Sequence, residues 1–441
     1  MLQSEMPTIT YPAQLPLIPV TGPVDARVAL PGSKSITNRA LLLAALATGD
    51  TTLRGPLHSD DTVVMRDALV QLGVPIDGNT AGDILVHGVS GKFTAPRSPE
   101  IFIGNSGTTV RFMTAAAALM PSDASVIFDG VSRMRERPIA DLLETLTMLG
   151  VEARSLRETG CPPIYVRGGG INGGTCRIRG NISSQFLSAI LMIVPYAKSN
   201  TDIVISGELI SKPYVDLTCD VMKSFGVQAE WKSNEHLHVK ARQSYVATDY
   251  TIEADASNAS YFFAAAAITG GRVTITNLGK IAKQGDIKFL NVLEEMGCTV
   301  SGTSRVTVQG PRVLFPVQAN MESIPDTAQT LAVLAAFADG TSTINGISSL
   351  RVKETDRVSA VTNELGKMGV HVVEGHDSWV ITPPEDKSCA GASISTYDDH
   401  RMAMSFAVAG LKMSGLEIEN PGCVAKTFPD FWLRWSTAFP S

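Results

Sequence analysis

The cations of this sequence stand where anions could be held. In Leu30-Pro-Gly-Ser-Lys-Ser-Ile-Thr-Asn-Arg39, Lys34 and Arg39 flank Ser35 and Asn38, two residues able to cap a helix. A lysine at a helix start can hold a phosphate or carboxylate, because free N–H groups and the dipole add to its charge. Gly104-Asn-Ser-Gly-Thr-Thr-Val-Arg111 is a small-residue turn with several free N–H groups, which lets a ligand approach the backbone closely. Ser183-Ser184-Gln185 offers two hydroxyls and an amide, which alone read as a helix cap. The acids lie among cations. Asp326 follows Ile324-Pro, and Glu354 stands between Lys353 and Arg357. Glu354 suits a helical salt-bridge face. As a functional carboxylate it needs a partner of different pKa, and Asp326 is the candidate. Asp398-Asp-His-Arg401 and Lys426-Thr-Phe-Pro-Asp430 add two more cations ahead of helices.

The elements that carry these residues repeat. An Ala/Leu-rich run, a tight turn and an alternating strand recur six times, as in Ala40-LLLAALATGDTTLRG and Phe262-FAAAAITGGRVTITNLG. The runs suit helices buried nearly all round, and the segments after them suit half-buried strands. A second signature is an amphipathic helix ending at Gly73, Gly150, Gly226, Gly297 or Gly369, glycines that recur roughly every 71–77 residues. Glycine there fits a helix C′ position, which favours the left-handed region. Between strand and amphipathic helix comes a polar segment. In five of six cases it places Lys or Arg just before a helix start, as in SRMRERPIAD, ISKPYVDLT (with Ser211 and Tyr214) and RVKETDRV. The reading is six α/β units of about 70 residues, longer than the ~20–50 of solenoid repeats, so two domains of three units are expected. Repeated units that aim such cationic helix starts at one another would build a basic cavity in an acidic protein.

Composition narrows the classes. The chain has 441 residues, 44% hydrophobic and 18% charged, with a net charge of -6. That excludes a disordered chain or coiled coil and argues against nucleic acid as partner. Its six cysteines form no CxxC pair and read as free thiols. The opening Met1-Leu-Gln-Ser-Glu-Met-Pro has no basic or apolar region of a leader, and Phe186 to Ala197 is too short for a membrane span. A cytoplasmic location with no membrane partner is expected. Gly168–Gly173 satisfies GxGxxG but leads into the strand-like Thr175-CRIRG, so it reads as a loop rather than a dinucleotide site. His236-Leu-His238 reads as an exposed strand face, not a metal site.

Taken in order, LPGSKSITNRALLLAALA, GNSGTTVR, RMRERP, SSQF, SKPYVD, DASNASYFFAAAA, RVKETDR, DDHRMAM and AKTFPDF cover nearly the whole chain. The chain resembles the 5-enolpyruvylshikimate-3-phosphate synthase family of carboxyvinyl transferases. The resemblance implies a two-domain inside-out α/β barrel, each domain made of three βαβαββ units. It implies a discontinuous domain of residues 1–32 plus 253–441, an inserted domain of 33–252, and a substrate cleft between them. It implies transfer of the enolpyruvyl group of phosphoenolpyruvate to the 5-hydroxyl of shikimate 3-phosphate through a tetrahedral intermediate, on the way to aromatic amino acids. Neither metal nor other cofactor is implied. The chain is expected to act as a monomer, inhibited by glyphosate.

Carried over by motif, Lys34, Asp326 and Glu354 would be catalytic. Lys34, Asn105, Gly107, Arg137, Gln185, Arg357, Arg401 and Lys426 would bind phosphoenolpyruvate. Lys34, Ser35, Arg39, Ser183, Ser184, Gln185, Ser211, Tyr214, Asp326, Ser349 and Lys353 would bind shikimate 3-phosphate. Ser349 stands where the family often has Asn, and Phe112 where glyphosate-sensitive members have proline. The Phe112 ring is expected to weaken glyphosate more than phosphoenolpyruvate. The rival readings are the sister transferase acting on UDP-N-acetylglucosamine and a non-catalytic anion-binding repeat protein. The first usually carries a loop cysteine that Asp129–Pro138 lacks.

Overall fold

The computed structural model describes residues 9–78, 82–385 and 389–440. The opening segment Met1–Pro7 read above for a leader lies outside them. The described residues form five four-stranded sheets and one three-stranded sheet. One plan underlies all of them. In the sheet of Glu100–Phe102, Ser125–Asp129, Ile164–Arg167 and Ala153–Ser155, the first two strands run parallel and the rest pair antiparallel. Gly174–Arg179 with Thr201–Ser206, and Gln318–Asn320 with Ser342–Asn345, open two further sheets in the same way.

The helices are α1 (Lys34–Leu46), α2 (Asp60–Gln71), α3 (Gly107–Ala116), α4 (Ala140–Met148), α5 (Ser184–Ile193) and α6 (Lys212–Ser224) in the first half. In the second half they are α7 (Ala256–Thr269), α8 (Phe289–Glu295), α9 (Ala328–Ala335), α10 (Arg357–Lys367), α11 (His400–Gly410) and α12 (Phe431–Ala438). Each sheet carries one helix buried all round and one amphipathic helix, as the two sequence signatures require. The glycines read as helix ends lie in the left-handed region, at φ 82–95°, where a Cβ would be strained.

The chain divides into two compact units, one of Gly32–Ile252 and one that joins the segment ending at Pro31 to Glu253 onward. The second unit takes strands from the chain ahead of the first unit, whereas the first unit is closed by a strand of its own. Tyr250–Thr251 pairs parallel with Thr48–Arg54 in the first unit, and Asp25–Val28 with Arg272–Ile275 in the second. Gln14–Pro16 pairs antiparallel with Glu417–Glu419 and completes the three-stranded sheet.

Each unit has its own core. In the first, α1, α3 and α5 bury Leu41, Leu42, Phe112 and Phe186 completely. In the second, Phe262 of α7 meets Phe428, Phe431, Trp435 and Phe439 with ring centroids 5.4–6.3 Å apart. Large apolar side chains stabilise by roughly 1.5–3 kcal/mol each when fully buried. That aromatic cluster docks α12 on α7 and fixes the turn that carries Lys426. No helix among the described residues is long and apolar enough to cross a membrane.

Candidate active site

In the first unit, side chains from five helices are tied together near their N-terminal ends. Lys34 is the first residue of α1, and its Nζ lies 3.3 Å from Asp61 Oδ2 in the first turn of α2. Asp61 is buried there, where a carboxylate also favours the helix N-terminus. Ser106 caps α3 by accepting from Thr109 N–H, and Gly107 opens the helix. A Cβ at Gly107 would fall on the Arg137 guanidinium and on Arg111 Nη1. Arg137 Nη1 donates to Asn105 O at 3.2 Å and to Asn105 Oδ1 at 3.3 Å. Arg111 Nη1 donates to Gly107 O at 2.9 Å and to Gln185 Oε1 at 3.0 Å, which links α3 to α5. Gln185 Nε2 donates in turn to Thr108 Oγ1 at 3.4 Å. Ser183 is the cap of α5, accepting from Gln185 N–H, and Ser184 is its first residue.

Arg39 is 2% exposed and joins three helices. It donates to Thr218 Oγ1 at 2.7 Å, to Ser35 O at 2.9 Å, and to Ser188 Oγ and Tyr214 O at 3.2 Å each. Burial pushes its guanidinium down to about 10, and the Phe112 ring centroid lies 5.3 Å from it. Arg39 thereby fixes the backbone at Ser35 and Tyr214. Ser211, the residue before α6, is a buried serine in the left-handed region at φ 54°. Left-handed non-glycine residues persist only where surroundings impose them.

In the second unit, three carboxylates and three cations interlock. Asp399 caps α11 by accepting from Arg401 N–H. Arg357 opens α10, is 1% exposed, and donates from Nε to Asp399 Oδ2 at 2.7 Å and from Nη2 to Glu354 Oε2 at 2.8 Å. Its Nη1 is 3.6 Å from Asp326 Oδ1. Arg401 Nη2 donates to Asp326 Oδ2 at 2.7 Å, and Nη1 to Asp326 O at 2.9 Å and Tyr261 Oη at 3.2 Å. Lys426 Nζ is 3.8 Å from Glu354 Oε1. Burial lowers the Arg357 pKa, but the Asp399 and Glu354 charges outweigh it and hold the pKa above the ordinary value. Burial pushes the Tyr261 hydroxyl up to about 12, although Arg401 opposes the shift.

Glu354 pairs with Arg357 but not on a helical face. Glu354 precedes α10, is buried, and faces Arg357 and Lys426. A three-residue spacing reads as a helix face only inside a helix, and here the helix begins at Arg357 itself. Ser349 lies on the short turn Ser348–Val352 and Lys353 follows it, both half-buried ahead of Glu354. His236 and His238 share Asp202 Oδ1 on a sheet face, and Gly168–Gly173 is a loop between strands, as their sequences suggested.

Sequence reasoning gave no role to Asp61, Asp399 or Tyr261. Asp61 belongs to the one polar segment, HSDDTVVMRD, that lacks a cation before its helix. That exception was its signal, since the acid there meets Lys34. Asp399 lay inside the quoted DDHR. Arg111 ends the quoted small-residue turn, but its link to Gln185 spans 74 residues and leaves no local trace.

The family model for EPSP synthase (3-phosphoshikimate 1-carboxyvinyltransferase) matches residues 19–435. A 3-phosphoshikimate 1-carboxyvinyltransferase of Trichormus variabilis is 46% identical over 98% of this chain and 99% of its own length. The chloroplastic enzyme of that name from Brassica napus is 46% identical over 93% of this chain and 82% of its own. A solved EPSP synthase from Acinetobacter baumannii superposes with a TM-score of 0.81 at 27% identity, covering 97% of this chain and 98% of that one. With the motifs in order, both units built from the same repeat and the match running nearly end to end, the chain belongs to the EPSP synthase family.

Proposed function

We infer that this chain transfers the enolpyruvyl group of phosphoenolpyruvate to the 5-hydroxyl of shikimate 3-phosphate, giving 5-enolpyruvylshikimate 3-phosphate and phosphate. The observation that carries the residue assignments is the buried cluster of Asp326 and Glu354 among Arg357, Arg401 and Lys426. It offers two carboxylates in different surroundings, which is what paired acid–base roles need. It also offers planar guanidinium forks suited to a carboxylate.

In the addition step the 5-hydroxyl oxygen bonds C2 of phosphoenolpyruvate, Asp326 takes the hydroxyl proton, and C3 gains a proton. In the elimination step the C2–phosphate bond breaks, C3 loses a proton, and the alkene reforms. Glu354 and Lys34 exchange protons with C3 and the leaving phosphate. Arg357, Arg401 and Lys426 hold the phosphoenolpyruvate carboxylate. Asn105, Gly107, Arg137 and Gln185 cradle its phosphate. Ser183, Ser184, Ser211 and Tyr214 hold the 3-phosphate of shikimate 3-phosphate, aided by Ser349 and Lys353. Ser35 and Arg39 serve its carboxylate, with Arg39 setting the backbone around Ser35. The two domains are 1–32 with 253–441, and 33–252. The chain works as a cytoplasmic monomer and takes glyphosate at the phosphoenolpyruvate site.

The test is phosphate release from phosphoenolpyruvate with purified protein. Release with shikimate 3-phosphate but not with UDP-N-acetylglucosamine, inhibited by glyphosate competitively with phosphoenolpyruvate, is expected. Release only with the sugar nucleotide selects the sister reaction, and no release with either selects an anion-binding protein.

A further inference from the structure

Two successive non-glycine residues ahead of α11 adopt the left-handed region, Tyr397 at φ 54° and Asp398 at φ 55°. Asp399 N–H donates to Thr396 O at 2.9 Å, which closes a tight turn of the primed kind. Such turns favour Asn and Gly at both central positions, and a tyrosine resists this backbone. The turn therefore has to be held from outside.

Glu364 holds it on one side. Its Oε1 accepts from the Tyr397 hydroxyl at 2.8 Å and its Oε2 from Ser395 N–H at 3.0 Å, with Lys367 Nζ 2.7 Å away. Glu364 is 0% exposed, although carboxylates are almost never buried unless paired. On the other side Asn420 Nδ2 donates to Asp398 Oδ1 at 3.2 Å. The residue that leaves the turn is Asp399, which caps α11 and receives Arg357. Glu364 follows Arg357 by seven residues on α10, so both lie on one face about two turns apart. One helix thus grips the 395–399 segment at both ends.

We propose that Glu364 is a positioning residue: by fixing the Tyr397–Asp398 turn it sets Asp399 against Arg357 and so aims Arg357 and Arg401 at the phosphoenolpyruvate carboxylate. This rests on the assignment of those arginines made above. A carboxylate that merely stabilised the fold would, when changed, disturb both substrates alike.

The full-length chain is compared with Glu364→Gln and Tyr397→Phe. Glutamine keeps the size but puts an N–H donor where two donors already point, and phenylalanine removes only the hydroxyl. Expected is a KM for phosphoenolpyruvate raised roughly tenfold or more in Glu364→Gln, with kcat falling less and the KM for shikimate 3-phosphate within about twofold. Tyr397→Phe moves the same constant less, and adds little in the Glu364→Gln background. Hydrogen exchange supplies a readout independent of turnover, with faster exchange at Asp399 and Arg401 in Glu364→Gln. Should wild-type protein fail to use these substrates, the functional reading falls, while exchange still decides whether Glu364 sets the turn. If Glu364→Gln does not fold, Tyr397→Phe carries the test. Equal changes in both KM values, or exchange unchanged at Asp399, overturn the proposal.

Discussion

Arg401 holds Asp326 by its side chain and its backbone at once, with Nη2 2.7 Å from Oδ2 and Nη1 2.9 Å from the carbonyl oxygen. A single guanidinium thereby fixes the position of a carboxylate and the conformation of the chain that carries it. An ammonium group at this position has no fork with which to reach both acceptors.

Arg401→Lys is therefore expected to lower kcat/KM for phosphoenolpyruvate by about a hundredfold, corresponding to ~2–3 kcal/mol, the low end for a buried charge pair that loses a partner. Steady-state phosphate release checks it. Activity within threefold of wild type means that charge alone suffices there.

Asp326→Ala and Glu354→Gln are each expected to slow turnover at least about a hundredfold, within the span of lost acid–base catalysis. Glu354→Gln retains its binding of shikimate 3-phosphate, measured by calorimetry, because its part is played in the transition state. Near-normal turnover in Glu354→Gln would return that carboxylate to a purely structural ion pair with Arg357 and Lys426.

Gly107→Ala separates stability from binding. Alanine is the better helix former by ~1 kcal/mol, so the backbone loses nothing. The added methyl instead displaces the Arg137 guanidinium and the Arg111 tip. The expected result is a melting temperature within a few degrees of wild type and a KM for phosphoenolpyruvate raised about tenfold or more. A large loss of melting temperature with an unchanged KM would contradict it.

The thiols give a pH prediction. Burial pushes Cys176, Cys219, Cys298 and Cys423 up to about 12, from 9.0. Only the thiolate reacts, and at pH 8 about one in ten thousand of each is ionised. Alkylation of these four in the folded protein should climb about tenfold per pH unit from 8 to 11. Between pH 9 and 12 the unfolded chain has released these protons and the folded chain retains them. Stability therefore falls as pH rises through that window. Mass-resolved labelling that is flat with pH would show that access, not ionisation, controls these thiols.

The reach of sequence reasoning had a physical boundary. Gly73 and Gly369 could be placed because a helix end is a local event, decided within a few residues. Lys34, Gly107 and Arg357 could be singled out because each lies at a helix start that its own neighbours announce. Asp61, by contrast, matters through Lys34 on another helix, and Asp399 through Arg357, 42 positions earlier. Such pairings are made by packing and leave no mark at either position. The bland reading of Glu354 as one member of a helix face meets the same boundary: the Glu354–Arg357 pair forms, but the helix starts only at Arg357. Phe112 shows the same limit from the other side. It is the sixth residue of α3 with Arg39 against its ring, so proline there would break a helix bond as well as remove a ring.

The borrowed strands also dictate an order of events while the chain is being made. Asp25–Val28 emerges from the ribosome early, but its parallel partner Arg272–Ile275 lies 247 positions further on. At about 5–20 residues per second, that strand waits ~12–50 s for its neighbour. The unit of Gly32–Ile252 has all its strands as soon as Thr251 is free, and so can close first. Gln14–Pro16 must wait for Glu417–Glu419 near the end of the second unit, but Asp25–Val28 only until that unit begins to emerge. Asp25–Val28 spends that interval as an open strand edge, which makes the alternating charges of Asp25 and Arg27, both exposed, a guard against premature pairing with other nascent chains.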